Sequence, residues 1–373
     1  MKVLNMMWGF NLGGIGKCFL TYAKLDAVDP ELQIRTVCVN LQNIAFDLAP
    51  LREAGAETVD IRNRSDISWI WKLRRILRDY RPDVVFTHGF NGPVVMMVER
   101  LLGDRTKLLC SYHGEYHPPS RSRRLFAPLF NFAMHFCYRH IASGVLTVCE
   151  CSSRFLVEKC GVPGNLVHCV HNGIPEEIPG LAGEEPVMPP QCRDRFVLGL
   201  AARLDPVKGI DDLIDALTLA RDLPLHLLLF GTGPSLDDLR RKAKALDLGD
   251  AVTFVGYTEN AAWWFKRLDA FVFPSHSENH SIVLLEAMRA GLPIIATDVG
   301  GNGESVRDGK EALLVPPCDP PSLAAAIRRI VVDPELRREL GANARRRFLE
   351  KFTEKKMQNE LAGWLKNFES ERR

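Results

Sequence analysis

Phe271-Val272-Phe273-Pro274-Ser275-His276-Ser277-Glu278-Asn279-His280-Ser281-Ile282-Val283-Leu284-Leu285-Glu286-Ala287-Met288-Arg289-Ala290-Gly291 reads as a strand, a turn and a helix in immediate succession. Phe271–Phe273 is a short unbroken apolar run, as in a strand buried on both faces, and Pro274 ends it. Ile282–Leu285 opens a second apolar stretch that Gly291 closes, so Ser281–Ala290 is the expected helix. Glu278 then falls at the carboxyl end of a strand, and Glu286 lies in the helix that follows. Even if the whole segment were helical, the two carboxylates would stand ~12 Å apart along the axis. A carboxylate pair that works on one bond from two sides needs about 5 Å. The spacing suits two contacts on different parts of an extended ligand.

The same alternation runs outward in both directions. Before the midpoint the strand candidates are Val3–Met7, Ile34–Val39, Thr58–Ile61, Asp83–Thr87, Leu108–Tyr112, Val145–Val148 and Val167–Val170. After it they are Phe196–Leu200, Leu225–Phe230, Val252–Val255, Ala270–Phe273, Ile294–Thr297 and Ala312–Val315. Helical stretches separate them. In Ser65–Tyr80, for example, Ile67, Ile70, Leu73, Ile76 and Leu77 are spaced for one apolar face. Between the halves, Pro175–Pro190 holds five prolines and little periodicity, which marks a linker. The fold class is therefore α/β, with two doubly wound, Rossmann-like units: an N-terminal domain over residues 1–176, a linker at 177–190 and a C-terminal domain over 191–352. Ligands of such sheets lie at the carboxyl ends of the strands, here in a cleft between the units.

Bulk composition bounds the class. The 373 residues suffice for two domains of roughly 150 residues each. A formal charge of +2 neither demands nor forbids an anionic partner. The ten cysteines are scattered through a long chain, and Cys38, Cys110 and Cys169 sit in apolar runs, which points to a reducing, cytoplasmic compartment rather than a disulfide scaffold. The N-terminus lacks the pattern of a signal peptide, and no segment reaches the ~18 apolar residues of a membrane span.

Several glycine loops follow strands. Gly13-Gly14-Ile15-Gly16-Lys17 lies between a strand and a helix, where glycine lets backbone approach a ligand and helix-start amides favour an anion. It is not a P-loop, because Asn11 and Cys18 stand where Gly and Ser or Thr are needed, and it lacks the dinucleotide fingerprint. A tight strand-to-helix turn explains it equally well. Gly231-Thr232-Gly233-Pro234 and Val299-Gly300-Gly301-Asn302-Gly303-Glu304 repeat the geometry. Arg203 and Lys208, in Leu200-Ala201-Ala202-Arg203-Leu204-Asp205-Pro206-Val207-Lys208-Gly209-Ile210, put a planar fork and a point charge at a strand end, which together suit a pyrophosphate. The amides of His280, Ser281 and Ile282 open the next helix and can meet a phosphate.

In the first half, His88-Gly89 and His113-Gly114-Glu115 follow strands. His113 is suited to a sugar hydroxyl or to polarising a phosphate. His113 and His117 have metal-pair spacing, but Pro118 and Pro119 oppose a helix presenting both, and His276 and His280 straddle a loop; no metal is expected. Arg121-Ser122-Arg123-Arg124 precedes Leu125, Phe126, Leu129, Phe130, Phe132, Met134 and Phe136. That pattern fits a core helix with a solvated first turn, or a surface for an anionic membrane. The basic Trp69–Arg81 stretch has the same two readings, and neither stretch forms a nucleic-acid module.

Four of these motifs, in order, resemble the retaining glycosyltransferases of family 4. They are Arg203-Leu204-Asp205-Pro206-Val207-Lys208-Gly209, Phe230-Gly231-Thr232-Gly233-Pro234, Ser277-Glu278 through Glu286-Ala287-Met288, and Ala296-Thr297-Asp298-Val299-Gly300-Gly301. His171-Asn172-Gly173-Ile174-Pro175 is similar to the segment closing their N-terminal domain. The resemblance implies the GT-B fold, two facing Rossmann-like domains with the last helix, Thr353–Phe368, crossing back to the first, so that residues about 353–373 join the N-terminal domain. It implies a nucleotide-diphosphate sugar as co-substrate, no other cofactor and no metal. Arg203 and Lys208 would bind the donor diphosphate, Glu286 the ribose, Glu278 the donor sugar, Gly13 and Gly14 the phosphates through backbone, and His113 would lie near the sugar. The acceptor would be a saccharide or lipid-linked saccharide, in cell-envelope or exopolysaccharide synthesis, with peripheral contact at the inner membrane face. Asn279-His280-Ser281 departs from the family's usual Gly-aromatic-small pattern and brings polar groups toward the sugar. Gly303 replaces the Pro usual before Glu304. Two other functions compete: a nucleotide-sugar epimerase or hydrolase, with His88, His113 and Glu115 as its acid/base candidates, and a degenerate sugar-nucleotide-binding subunit.

Overall fold

The computed structural model describes residues 1–9, 13–41, 48–61, 68–89, 97–98, 100–101, 106–114, 127–177, 187–258 and 261–368. The chain divides into two compact units, Met1–Asn172 with Glu354–Arg373, and Gly173–Thr353.

The first unit carries a parallel sheet of seven strands: β1 (Lys2–Trp8), β2 (Gln33–Leu41), β3 (Glu57–Ile61), β4 (Val84–His88), β5 (Lys107–Tyr112), β6 (Gly144–Thr147) and β7 (Val167–Cys169). Their order is β3-β2-β1-β4-β5-β6-β7. Its helices include α1 (Gly14–Tyr22), α2 (Ala49–Glu53), α3 (Ser68–Tyr80), α4 (Ala127–His140) and α5 (Glu150–Glu158). The second unit repeats the plan with β8 (Phe196–Ala201), β9 (Leu225–Phe230), β10 (Val252–Gly256), β11 (Ala270–Phe273), β12 (Ile294–Thr297) and β13 (Ala312–Val315), in the order β10-β9-β8-β11-β12-β13. Its helices are α6 (Ile210–Leu219), α7 (Leu236–Ala245), α8 (Ala261–Phe265), α9 (Ile282–Ala290), α10 (Asn302–Ser305), α11 (Pro320–Val332) and α12 (Pro334–Lys351), and α13 (Glu354–Lys366) returns the chain to the first unit.

Every strand read from the sequence is present, because runs such as Leu225–Phe230 and Ala270–Phe273 are buried along their whole length. In each sheet the order reverses beside the first strand: β1 has β2 and β4 as neighbours, and β8 has β9 and β11. Loops leaving the two central strands in opposite directions open a crevice there.

Helix α3 is described from Ser68; Ser65–Ile67, where the sequence pattern begins it, lie outside the described residues. Its buried residues are Trp69, Leu73 and Leu77, with Ile70 and Ile76 packed against the same cluster. Helix α4 is half of what a core reading requires. Met134, Cys137 and Tyr138 are buried, but Leu129, Phe132 and Phe136 are 68%, 69% and 50% exposed. The basic residues Arg121–Arg124 and Glu115 and His117 lie outside the described residues. Helix α13 is tied into the first unit by Thr21 Oγ1 donating to Glu354 Oε1 at 2.9 Å, by Trp364 stacked on His168 at 5.5 Å, and by Lys366 paired to Asp29 at 2.6 Å. The ten cysteines are thiols, not disulfides. Among the described residues no helix is long and apolar enough to cross a membrane.

Candidate active site

Strands β8 and β11, the pair at the order reversal of the second sheet, deliver the decisive side chains. After β8 the chain runs through Arg203 into a one-turn 3-10 helix, Pro206–Lys208. Asp205 caps that turn by accepting from the Val207 amide, and Arg203 Nη2 donates to the same carboxylate. Burial pushes the Asp205 carboxyl up, but the Arg203 bond and the Val207 amide outweigh it and hold it below the usual range. Gly209 follows at φ 60°, and a Cβ there would lie 2.0 Å from the carbonyl of Pro274, so only glycine lets the turn rest on the end of β11.

From β11 the chain continues through Ser275 and His276 to Glu278. The Thr297 hydroxyl donates to Ser275 O at 2.5 Å, and the His276 amide donates to Val207 O at 2.8 Å. These bonds fix the loop against both neighbours. Lys208 Nζ then donates to Glu278 Oε1 at 2.5 Å, with the carboxylate 10% exposed and the lysine 23%. Lys208 also sits 5.9 Å from the Phe273 ring centroid. Behind Glu278, Gly300 has φ 52°, and a Cβ on it would lie 1.7 Å from the Glu278 carbonyl. The loop after β12 is therefore a rest for Glu278, a packing role that the sequence pattern did not disclose.

Helix α9 starts at Ile282 with Ser281 as N-cap in extended backbone, without a capping bond from its side chain and without an acid in the first turn. The Ser281 side chain therefore does not occupy the helix-start amides, and such a start favours an anion. Glu286 is half-buried one turn on. It lines a cavity of about 490 Å³ with Phe265, Lys266, Arg289 and Arg345. Burial lowers the Arg289 pKa, and the Glu286 carboxylate opposes that shift. Asn279 is half-buried, whereas His280 is buried with its ring 5.3 Å from Phe352. His276 pairs with Asp212 at 2.6 Å, so the two histidines answer to different partners. Among the described residues, Asp212, His276 and Cys318 bring donor atoms within 4.8 Å of one another. Gly231, at φ 123°, would drive a Cβ to 1.9 Å from Ala202 O; it is required by the close approach of two loops.

Three candidates lie in the first unit. Gly13 caps α1 and Gly14 begins it, both exposed. His113 follows β5, half-buried, with Nε2 3.0 Å from Ser111 Oγ, and burial lowers its pKa to about 4. Ser111 in turn meets His88, which meets Asn5. Sequence reading placed His88 and His113 but missed this connection; the signal available was Asn5, a polar residue inside the apolar β1.

Comparison with known proteins gives the family and the fold. The model of the family described as glycosyl transferases group 1 matches residues 190–347, and that described as Glycosyltransferase Family 4 matches residues 54–178. The chain is 32% identical over 343 residues to the N-acetyl-alpha-D-glucosaminyl L-malate synthase of Bacillus anthracis, covering 90% of this chain and 84% of that protein. It is 34% identical over 386 residues to an exopolysaccharide phosphotransferase of Streptomyces coelicolor, covering 92% of this chain but 38% of that protein. Among solved structures, Anabaena HepE in complex with UDP and glucose aligns with a TM-score of 0.82 at 20% identity, over 98% of this chain and 100% of that one. The fold is GT-B, and the chain belongs to the glycosyl transferases group 1, a family of the glycosyltransferase family 4 kind.

Proposed function

We propose that the chain transfers a sugar from a nucleoside diphosphate sugar to a saccharide or lipid-linked saccharide acceptor, with retention of anomeric configuration. The observation that carries this reading is the Lys208–Glu278 pair beside the start of α9, whose N-cap Ser281 makes no side-chain capping bond, at the order reversal of the second sheet. Lys208, Arg203 and the α9 amides are cations and dipoles gathered where a diphosphate would bear charge. Their work is to stabilise the negative charge that grows on the leaving diphosphate as the sugar–oxygen bond breaks. Glu278 is the polar group for the sugar. Glu286 holds the ribose, and the cavity it lines falls in the size range of small-molecule sites. Gly13 and Gly14 lend backbone to the phosphates and His113 serves the sugar; both assignments rest on the family resemblance.

The protein's own cations supply the charge, so the reaction is proposed to need no metal and no cofactor beyond the donor. A screen of nucleotide sugars by calorimetry and thermal shift tests the donor half. Binding of UDP-sugars or other nucleoside diphosphate sugars, lost in Lys208→Ala, is the expected result. Binding of nicotinamide dinucleotides instead would sink it. Undiminished turnover in EDTA is expected; loss restored by added divalent ions would refute metal independence and direct attention to Asp212, His276 and Cys318.

We further propose a cytoplasmic enzyme of cell-envelope or exopolysaccharide synthesis that meets anionic membrane through α4. Support comes from Leu129, Phe132 and Phe136, exposed together on a helix whose opposite face is core.

A further inference from the structure

Four residues on neighbouring strands of the first sheet form one hydrogen-bonded line. Asn5 lies on β1, His88 ends β4, Ser111 lies on β5 and His113 follows it. Asn5, His88 and Ser111 are 1%, 2% and 1% exposed. The contacts are Asn5 Oδ1 to His88 Nε2 at 2.6 Å, His88 Nδ1 to Ser111 Oγ at 2.9 Å, and Ser111 Oγ to His113 Nε2 at 3.0 Å.

The direction of each bond follows from one end. Asn5 Nδ2 donates to the Phe19 carbonyl at 3.4 Å and to Thr36 Oγ1 at 3.2 Å. A carbonyl can only accept, so the amide nitrogen must face it and the amide oxygen must face His88. His88 Nε2 is therefore the protonated nitrogen. Phe19, Tyr22 and Phe86 pack around the ring, with Phe86 at 4.2 Å, and this burial pushes the His88 pKa well below the usual value. A neutral ring protonated at Nε2 has its lone pair on Nδ1. The Ser111 hydroxyl must then donate to Nδ1 and use its oxygen to accept from His113 Nε2–H. Neutral His113 is left with its lone pair on Nδ1.

We propose that Asn5, His88 and Ser111 are positioning residues that lock His113 as the Nε2–H tautomer, so that its Nδ1 only accepts hydrogen bonds and selects a hydroxyl rather than a phosphate oxygen as its partner. The proposal deepens, and rests on, the reading of His113 as a residue that serves the donor sugar. An accepting nitrogen repels a diphosphate oxygen and welcomes a sugar O–H. The line reaches 83 residues along the chain between Asn5 and His88, yet Asn5, His88 and Ser111 lie on adjacent strands and His113 is two residues beyond Ser111.

The test is the tautomer itself. The full chain, labelled with ¹³C,¹⁵N-histidine, gives long-range proton–nitrogen spectra in which His113 is identified by its loss in His113→Gln. Near neutral pH the wild type should show His113 with widely split ring nitrogens and the proton on Nε2. In Ser111→Ala the two nitrogen shifts should converge as the tautomers exchange. Ser111→Thr, which keeps the hydroxyl on a strand, should restore the wild-type split. A wild-type His113 protonated on Nδ1, or a Ser111→Ala spectrum identical to wild type, overturns the proposal. The sugar role is tested separately by UDP release from UDP-glucose. A His113→Gln protein that releases UDP as fast as wild type removes that role and the selection built on it, whatever the spectra show.

Discussion

The Lys208 ammonium is already spoken for: it donates to Glu278 at 2.5 Å, inside the site where a diphosphate is proposed to bind. The two partners should therefore act with opposite sign on product binding. Glu278→Gln keeps the shape and releases the cation, so UDP should bind about 3- to 10-fold more tightly, on the order of 1 kcal/mol for a charge-assisted bond gained. Turnover should fall in the same variant, because the sugar loses its carboxylate. Lys208→Met should weaken UDP by at least about tenfold and cost about 2 kcal/mol of stability, since a mostly buried carboxylate is left without its cation. Calorimetry with UDP and thermal melts of both variants read this directly. Equal weakening of UDP in both would refute the competition.

Arg203 and Asp205 separate binding from stability. Arg203 is 61% exposed at its side chain, so its ion pair adds little to folding. Arg203→Ala should leave the melting temperature within experimental spread while costing ~2 kcal/mol or more in transition-state stabilisation, as loss of one oxyanion donor does. Asp205→Ala removes the cap of the Pro206–Lys208 turn and should destabilise by about 1 kcal/mol. A melt that falls for Arg203→Ala as far as for Asp205→Ala would overturn the division of labour.

Strand positions were legible because burial on both faces leaves an unbroken apolar run, as in Phe271–Phe273. The ends of those runs then located Arg203, Lys208 and Glu278. What periodicity cannot carry is contact between distant residues. Asp212 and His276 are 64 residues apart in the chain and 2.6 Å apart in space. Gly300 reads as one glycine of a ligand loop, yet its place is set by the backbone of Glu278. In α4 the run of apolar residues overstated the core, because helical spacing sends Leu129, Phe132 and Phe136 to the opposite face from Met134 and Tyr138.

Gly300→Ala probes that backbone contact. The added methyl would meet the Glu278 carbonyl, and φ 52° is unfavourable to any side chain, by about 1–2 kcal/mol. The loop must shift, and Glu278 shifts with it. Turnover should drop by at least about 10²-fold, the scale of an ångström's misplacement in a site, while the melting temperature changes by only a few degrees. Turnover that tracks the loss of stability alone would mean that Gly300 serves folding and not the site.

His113 makes stability depend on acid. Its folded pKa of about 4 lies below the ordinary 6.5, so between these values the unfolded chain binds more protons. Stability then rises with pH: the contribution is whole above pH 6.5 and is lost as pH falls toward 4, by about 3 kcal/mol. His88 shifts in the same direction through burial and adds to the slope. Denaturant midpoints between pH 7.5 and 5 should fall more steeply in the wild type than in His113→Gln. Parallel slopes would show that His113 is not held neutral by the fold.

The exposed face of α4 makes the membrane proposal quantitative. Burying a phenylalanine ring in an apolar phase contributes about 1.5–3 kcal/mol. Phe132 and Phe136 are 69% and 50% exposed, so most of that gain is still available to them. Phe132→Ser/Phe136→Ser should lower binding to phosphatidylglycerol-containing vesicles by at least about tenfold at low salt. Neither side chain belongs to the buried set of α4, so the melting temperature should hold. Basic residues on the anionic surface would add attraction that salt screens over roughly 10 Å, so raising ionic strength should weaken the wild type toward its binding on phosphatidylcholine. Equal binding of wild type and double variant in sedimentation with vesicles would remove α4 as the contact, and no binding at low salt would remove the membrane.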